Sequence, residues 1–458
     1  MTARGGSAAS GGDLVEQALS QSRADGCHVI VEQHSSTNLR WAGNTLTTNG
    51  AMSGRSITVI SVVGESVGVR SATTIDDLPA LVRASEQAAR EAPAAEDAGQ
   101  LVEGAVDADF SATAEITSPS VFQRVATDLG DRFRAARPDG LSLYGYASHD
   151  VTTTWLGSST GQRRRHVQPT GYLELTGKST GGSTWVGQHT RDWSDLAVPE
   201  LDTEVRRRLA WGARQIELPA GHYETLLPPS AVADLMAYAY WTAAGRDAAE
   251  GRTVFSRPGG GTRVGERLGP SGLRLSSDPR HPGLATLPFT VATASSSMSS
   301  VFDNGLPLEA TDWMTDGTLS ALVETRASSR ASGAPVTPYV DNLVLDGGGS
   351  ASTDEMVAST GRGLLLTCLW YIREVDPETL LLTGLTRDGV YLVEDGEVVA
   401  AVNNFRWNES PIGLLSRLDE VGRTVPCLPR EWSDGFTWTH MPTLRVSGFN
   451  MSSVSQAS

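Results

Sequence analysis

The chain has 458 residues, with 39% hydrophobic and 20% charged residues, a folded composition with room for two or three domains. Its net charge of −16 disfavours a nucleic-acid partner, because excess carboxylates repel phosphate. Three widely separated cysteines fit a reducing compartment, and no segment is typical of a membrane span or secretory signal, so we expect a cytoplasmic protein.

The first block of the chain predicts a tail followed by an α/β unit. Residues 1–12 are rich in Ser, Gly and Ala and predict a disordered tail. Asp13 and Glu16 have capping-box spacing at the start of a first helix. Strand-like segments and a second helix, from about Asp76 to Arg90, complete a block over 13–92, and the Ala-, Glu- and Gly-rich stretch 93–117 predicts a linker.

The central block, 118–215, is predicted to repeat the first. A third helix begins near Ser118-Pro119, where proline suits the first turn. Four matches then share one offset of 114 residues, and the most informative of them pairs Trp41 with Trp155. Because several matches at one offset are hard to obtain by chance, we expect an internal duplication of a helix and an antiparallel sheet.

The third block, 222–450, is predicted to be rich in strands. A helix is expected over Ala231–Ala244, and the apolar run Leu364–Ile372 predicts one strand that is buried on both faces. Asp388-Gly389 and Asp395-Gly396 are hairpin signals. The predicted fold class is therefore α+β, with a C-terminal domain built as a large curved antiparallel sheet or a barrel.

Catalytic patterns are scarce along the chain. No two of the eight histidines stand three to five residues apart, so no helix can present the two imidazoles of a zinc peptidase. Neither a Gly-x-Ser-x-Gly elbow nor a phosphate-binding loop is present. A cysteine peptidase that uses Cys368 or Cys427 is disfavoured, because Cys368 lies in an apolar run and burial keeps a thiol protonated.

Longer stretches carry a resemblance to a known family. Ser359–Thr367, Trp370–Pro377 and Thr383–Glu397 resemble the C-terminal motif of the TldD/PmbA family. Arg40–Asn44 and Gly64–Val69 resemble its N-terminal domain. The resemblance covers most of residues 13–450 and implies a subunit of a cytoplasmic peptidase assembled from two related chains.

The resemblance also implies which of the two chains this is. In the family, the TldD-type chain holds zinc with a His-Glu helix and a distant cysteine, and that helix would fall at Ala231–Ala244. Its histidines and glutamate are missing here, so the chain resembles the TldE (PmbA) type. Cys427 precedes Pro442-Thr443-Leu444 at an interval similar to that of the zinc-binding cysteine. It is the single candidate for a remnant metal ligand, and we predict a structural role for it.

We therefore expect that this chain binds no cofactor and has no catalytic residue of its own. A homologous TldD-type partner would supply zinc and the general base, and unfolded peptide would be the substrate. Trp370, Tyr371 and Arg387 are predicted substrate or subunit contacts, and an exposed sheet edge could hold an extended peptide. The alternative is a catalytically silent peptide-binding or scaffold protein of the same fold.

Overall fold

The computed structural model describes residues 9–455, so residues 1–8 of the predicted tail lie outside the described part. The first helix begins at Gly11 and its N-cap is Ser10. The Ser10 hydroxyl accepts the Asp13 backbone N–H, and the Asp13 carboxylate accepts the Ser10 N–H. The predicted cap at Asp13 is therefore wrong: Asp13 is the third helical residue and the acidic half of the capping box.

Residues 9–211 form the N-terminal part and contain four α-helices and six strands, with one 3₁₀ turn over Pro119–Phe122 before α3. In chain order they are α1 (Gly11–Gln21), β1 (Gly26–Trp41), β2 (Leu46–Val63), β3 (Ser66–Ala72), α2 (Leu78–Glu91), α3 (Gln123–Ala136), β4 (Ser142–Ser158), β5 (Arg163–Ser179), β6 (Gly182–Thr190) and α4 (Val198–Trp211).

These six strands form one antiparallel sheet in the order β3-β2-β1-β4-β5-β6, so each half contributes a three-stranded meander. The two halves meet where β1 pairs with β4. Trp41 lies opposite Gly145, and Trp155 lies opposite Val31. Trp155 stands 114 residues after Trp41, and Gly145 stands 114 residues after Val31. The offset seen in the sequence therefore relates the two halves of the sheet across the β1–β4 pair.

The helices cover one face of this sheet and leave the other face for the C-terminal part. Leu14 and Val15 of α1 join Val82 of α2 over the first meander, while α3 and α4 form a second apolar core over the other. Trp41 and Trp155 are almost wholly buried beneath these helices, one in each core.

The C-terminal part contains many short elements, with a further 3₁₀ turn over Val301–Asp303. The helices are α5 (Pro229–Trp241), α6 (Gly245–Ala249), α7 (Arg326–Ser332), α8 (Thr353–Ala358) and α9 (Pro411–Leu415). The strands are β7 (Gln215–Ile216), β8 (Gly221–Leu227), β9 (Arg274–Ser277), β10 (Thr311–Thr315), β11 (Thr318–Leu319), β12 (Leu343–Asp346), β13 (Arg362–Leu366), β14 (Leu369–Asp376), β15 (Leu381–Thr386), β16 (Val390–Glu394), β17 (Glu397–Val402), β18 (Phe405–Glu409), β19 (Leu418–Val421), β20 (Val425–Cys427), β21 (Thr439–Met441), β22 (Leu444–Met451) and β23 (Ser453–Val454).

Three sheets organise these strands, which confirms the α+β class, although within 9–455 none of them closes into a barrel. Their orders are β11-β10-β9-β12-β21-β20, β19-β22-β8-β13-β16-β17-β7 and β14-β15-β18-β23. The first two sheets each include parallel pairs, such as β12 with β21 and β8 with β13, so this part is mixed rather than wholly antiparallel. Helix α5 lies in the largest apolar core, between these sheets.

The single buried strand predicted over Leu364–Ile372 is wrong. Strand β13 ends at Leu366, and Thr367 donates its N–H and its hydroxyl to the Gly389 carbonyl just beyond the Leu366–Val390 pair. The chain then enters the four-stranded sheet at Leu369. The run therefore supplies two strands to two sheets, and Tyr371 within it is 61% exposed.

One of the two predicted Asp-Gly hairpins is confirmed. Asp395 and Gly396 both have positive φ and join β16 to β17, which pair antiparallel. Asp388-Gly389 instead carries the chain from β15 in one sheet to β16 in another. Both Asp-Gly pairs turn the chain, but only Asp395-Gly396 joins two strands that are neighbours in one sheet.

Candidate functional site

Helix α5 occupies the place where the resemblance puts a metal-binding helix. It is apolar on nearly every side, and nine of its residues are buried. It contacts the short strands β20 and β21, which carry Cys427 and His440. Its single charged side chain is Asp234, so the chemistry of this helix depends on that carboxyl group.

Asp234 is fully buried and holds the chain segment that follows Cys427. Its Oδ1 accepts the backbone N–H of Glu431 at 2.8 Å, and its carbonyl oxygen accepts the Trp432 indole N–H at 2.9 Å. Burial raises the pKa of Asp234 well above its usual range, and Oδ2 has no hydrogen-bond partner among residues 9–455. Burial therefore favours the uncharged form of the Asp234 carboxyl group.

Cys427 is a buried free cysteine on β20, which contacts α5. It is 7% exposed, and its Sγ lies 3.3 Å from the Thr439 hydroxyl. Burial raises its pKa to about 12, so the thiol stays protonated. Zinc needs thiolate, imidazole or ionised carboxylate ligands. Helix α5 offers one carboxyl group and no imidazole beside Cys427, so this donor set lacks the histidine ligands of a zinc-peptidase helix.

The predicted contact residues Trp370 and Arg387 meet in one cluster, together with two residues that sequence reasoning did not single out. Arg430 stacks over the Trp370 ring at 3.5 Å from its centroid, and Arg387 lies over the same ring at 5.5 Å. Arg430 also lies 5.7 Å from the ring of Trp185 on β6. We call Trp185, Trp370, Arg387 and Arg430 the arginine–tryptophan cluster. It joins the N-terminal sheet to the C-terminal part.

Tyr371 stands beside this cluster on the edge strand β14. Its φ of 57° lies in the left-handed region, which is strained for a residue with a bulky side chain. The Glu431 carboxylate accepts the backbone N–H groups of Tyr371 and Ile372, both at 3.2 Å. Arg373 lies 4.9 Å from the Tyr371 ring centroid. Glu431 thus occupies the strand edge at the point where an added peptide strand would pair.

Polar groups of the N-terminal sheet face the same segment from the other side. The Ser433 hydroxyl donates to Glu174 on β5 at 3.2 Å, and Ser183 on β6 donates to Asp388. Burial raises the pKa of Glu174, and the Arg430 guanidinium opposes that shift. A cavity of about 500 Å³ opens beside Ser183 and Asp388, between the two parts of the chain. A cavity with polar side chains such as Ser183 and Asp388 in its lining is typical of functional sites.

The sequence carried signals for the residues that were missed. Asp234 is the one acidic residue in an otherwise apolar helix, and Arg430-Glu431-Trp432 is a run of charged and aromatic residues directly after Cys427-Leu428-Pro429. Trp185 gave no such signal, because only the fold brings β6 to this segment.

The fold and the site define a two-part α+β chain whose C-terminal half has the architecture of a metallopeptidase domain. The profile for the PmbA/TldA metallopeptidase C-terminal domain matches residues 220–453, and the profile for domain 1 of the same metallopeptidases matches residues 27–92. The chain therefore belongs to the PmbA/TldA metallopeptidase family, which confirms the TldD/PmbA family predicted from the sequence.

Solved structures share this fold over nearly the whole chain. TldE from Thermococcus kodakarensis has a TM-score of 0.78 and 15% identity, covering 95% of this chain and 98% of that one. A protein from Thermotoga maritima, described as a candidate modulator of a DNA gyrase, has a TM-score of 0.76 and 16% identity, with coverages of 93% and 95%. A search of curated protein sequences found no match. No helix of residues 9–455 is long and apolar enough to cross a membrane.

Proposed function

We propose that this chain is the TldE-type subunit of a cytoplasmic, heteromeric metallopeptidase that hydrolyses unfolded peptides. A homologous TldD-type chain would supply the zinc ion and the general base. The observation that carries the proposal is helix α5: in a chain of a metallopeptidase family, this helix presents one buried carboxyl group, Asp234, and no imidazole. The fold shared with TldE from Thermococcus kodakarensis supports the same assignment.

In this proposal the chain contributes a wall of the peptide chamber. The planar guanidinium groups of Arg387 and Arg430 can hydrogen-bond a peptide carbonyl or a terminal carboxylate, since arginine offers several fixed donors. The exposed ring of Tyr371 offers apolar contact without sequence preference. These groups would bind and orient the peptide while the partner carries out hydrolysis.

The test is to purify the chain alone and after co-expression with a TldD-type chain from the same genome. We expect the co-purified pair to contain zinc by elemental analysis and to hydrolyse an unfolded peptide, while the lone chain contains none and is inactive. Stoichiometric zinc and hydrolysis in the lone chain would contradict the proposal. A pair that binds peptide without cleaving it would favour the scaffold alternative.

A further inference from the structure

A second cavity lies away from α5 and away from the arginine–tryptophan cluster. It has a volume of about 440 Å³ and lies between the segment after α2 and the helices α6 and α7. Four carboxylates contribute to its wall, together with one arginine and several serine side chains. The carboxylates are Glu96, Asp97, Glu250 and Glu324, and the arginine is Arg246.

The acidic side chains of this cavity are only partly neutralised. Arg246 pairs with Glu96 at 2.5 Å and with Glu250 at 3.1 Å, and Arg252 also reaches Glu250 at 2.5 Å. Within residues 9–455 no basic side chain forms an ion pair with Asp97 or with Glu324. Two carboxyl groups of the wall therefore lack a cationic partner.

Glu324 is the one of these two that is deeply buried. It is 4% exposed, and its Oε2 has no hydrogen-bond partner in the described part of the chain. Burial raises the pKa of Glu324, and side-chain hydrogen bonding by Ser328 and Ser332 opposes that shift. A buried carboxyl group with one unpaired oxygen and no cationic partner costs free energy of folding, and a bound cation would offset that cost.

Gly245 provides the room that this carboxyl group needs. A Cβ atom at position 245 would lie 2.0 Å from Glu324 Oε1, so any larger residue would displace the carboxylate. The backbone of Gly245 is not in the left-handed region, so the turn itself does not require glycine. The local sequence is therefore fitted to the side chain of Glu324.

We propose that this cavity binds a small organic cation, whose primary ammonium or guanidinium group pairs with Glu324. A hard metal ion needs several oxygen ligands at about 2.0–2.6 Å from one point. Within residues 9–455, no three acidic, histidine or cysteine side chains are grouped that closely. An elongated cation can instead use carboxylates that are spread around a cavity, and about 440 Å³ lies in the usual range for small ligands.

Calorimetric titration of the full-length chain tests this directly. The probe is butylguanidinium, and its control is butylurea, which has the same shape without the charge. We expect butylguanidinium to bind at least tenfold more tightly than butylurea. The blocked tripeptide acetyl-Ala-Arg-Ala-amide then tells whether the cavity takes a free cation or a basic peptide side chain, and tight binding of either supports the proposal.

Three variants locate the binding. Glu324→Gln keeps the shape but removes the charge, and we expect at least a tenfold loss of butylguanidinium affinity. Ala331→Leu fills the cavity from α7 and should weaken binding with Glu324 intact. Glu309→Gln changes an exposed carboxylate outside the cavity that pairs with Arg280, so its effect should stay below about threefold. Thermal unfolding without ligand checks that each variant is folded.

The proposal is wrong if butylurea binds as tightly as butylguanidinium, if neither butylguanidinium nor the tripeptide binds at millimolar concentration, or if Glu324→Gln binds as the parent does. Competition by Ca²⁺ or Mg²⁺ that depends on Glu324 would also overturn it, in favour of a metal site. Because the lone chain is titrated, failure of this proposal leaves the proposed subunit function untouched.

Discussion

The face of the N-terminal sheet that its helices leave uncovered contacts the C-terminal part in two chemically different ways. At the β2–β3 end the contact is apolar: Ile60 and Val69 pack against Phe289 and Phe302. At the β5–β6 end the contact is aromatic and polar, with Trp185, His189 and Glu174 against Arg430, Ser433 and Trp438. The strands on the two sides have the same order and pairing, so the difference lies in the side chains alone.

This difference separates a contact that stabilises the fold from one that is suited to chemistry. Trp185 of β6 corresponds to Ser71 of β3, 114 residues earlier, which only hydrogen-bonds to Thr58 on the neighbouring strand. Apolar burial stabilises in proportion to area, whereas buried polar groups must be desolvated and bring little net stability. We infer that one end of the sheet fixes how the two parts sit together and that the other end holds the candidate site.

The largest effect on stability is expected at the apolar end. Phe302 is 2% exposed, and Phe302→Ala should lower the free energy of unfolding by about 3–5 kcal/mol through lost burial and a cavity. Urea unfolding followed by fluorescence measures the change. Tyr371→Ala is the control at the other end: with 61% of its surface exposed, Tyr371 should contribute within about 0.5 kcal/mol. Equal losses in both variants would break the comparison.

Asp234 should give the next largest effect. Asp234→Ala removes the acceptor for the Glu431 N–H inside the core and should cost about 1–3 kcal/mol of unfolding free energy. Asp234→Asn keeps an oxygen that can accept the Glu431 N–H and places an uncharged amide nitrogen where Oδ2 stood. It should therefore lower the free energy of unfolding much less than Asp234→Ala does. The same urea experiment distinguishes the two variants. An Asn variant as unstable as the Ala variant would show that Asp234 is ionised in the folded chain.

The pH dependence of the Asp234 effect has a definite sign. Burial raises the folded-state pKa, so the folded chain keeps a proton that the unfolded chain releases above the usual pKa of aspartate, about 3.9. Stability from this group is therefore lost as pH rises from that value through the raised folded-state pKa. Asn does not titrate, so the stability of Asp234→Asn relative to the parent should increase from pH 5 to pH 8.

How far the sequence predicts this molecule depends on how local each feature is. Helix α2 and the turn at Asp395-Gly396 follow from patterns within a few residues, and both are found. The break at Thr367 is not local, because it follows from the pairing of β13 with β16 in one sheet and of β14 with β15 in another. The same holds for the site: Trp370 and Arg387 were singled out within family motifs, but Trp185 and Arg430 join them only through the packing of β6 against the segment after β20.

Arg430 should affect activity more than stability. Arg430→Lys keeps the charge but loses the planar stacking over Trp370, which is worth about 1–2 kcal/mol when partly buried. In the proposed pair we expect about tenfold slower hydrolysis of an unfolded peptide, measured at subsaturating substrate. Arg362→Lys is the control, because Arg362 lies on β13 and its side chain is 67% exposed beside Glu394. Equal rates for the two variants would remove the cluster from the peptide path.

The smallest effect is expected at the edge of β14. Glu431→Gln leaves one good acceptor where the carboxylate served two backbone N–H groups, so about 0.5–1.5 kcal/mol should be lost. The loss should be local, because Tyr371 and Ile372 lie at the start of an edge strand. Hydrogen exchange should therefore speed up at these two amides and stay unchanged in β15. Glu378→Gln, an exposed change on the turn after β14, should leave both amides as they are. If Glu431→Gln also leaves hydrogen exchange at the Tyr371 and Ile372 amides unchanged, a group other than the Glu431 carboxylate protects this strand edge. The polar end of the contact would then be more stable locally than its hydrogen bonds to Glu431 imply.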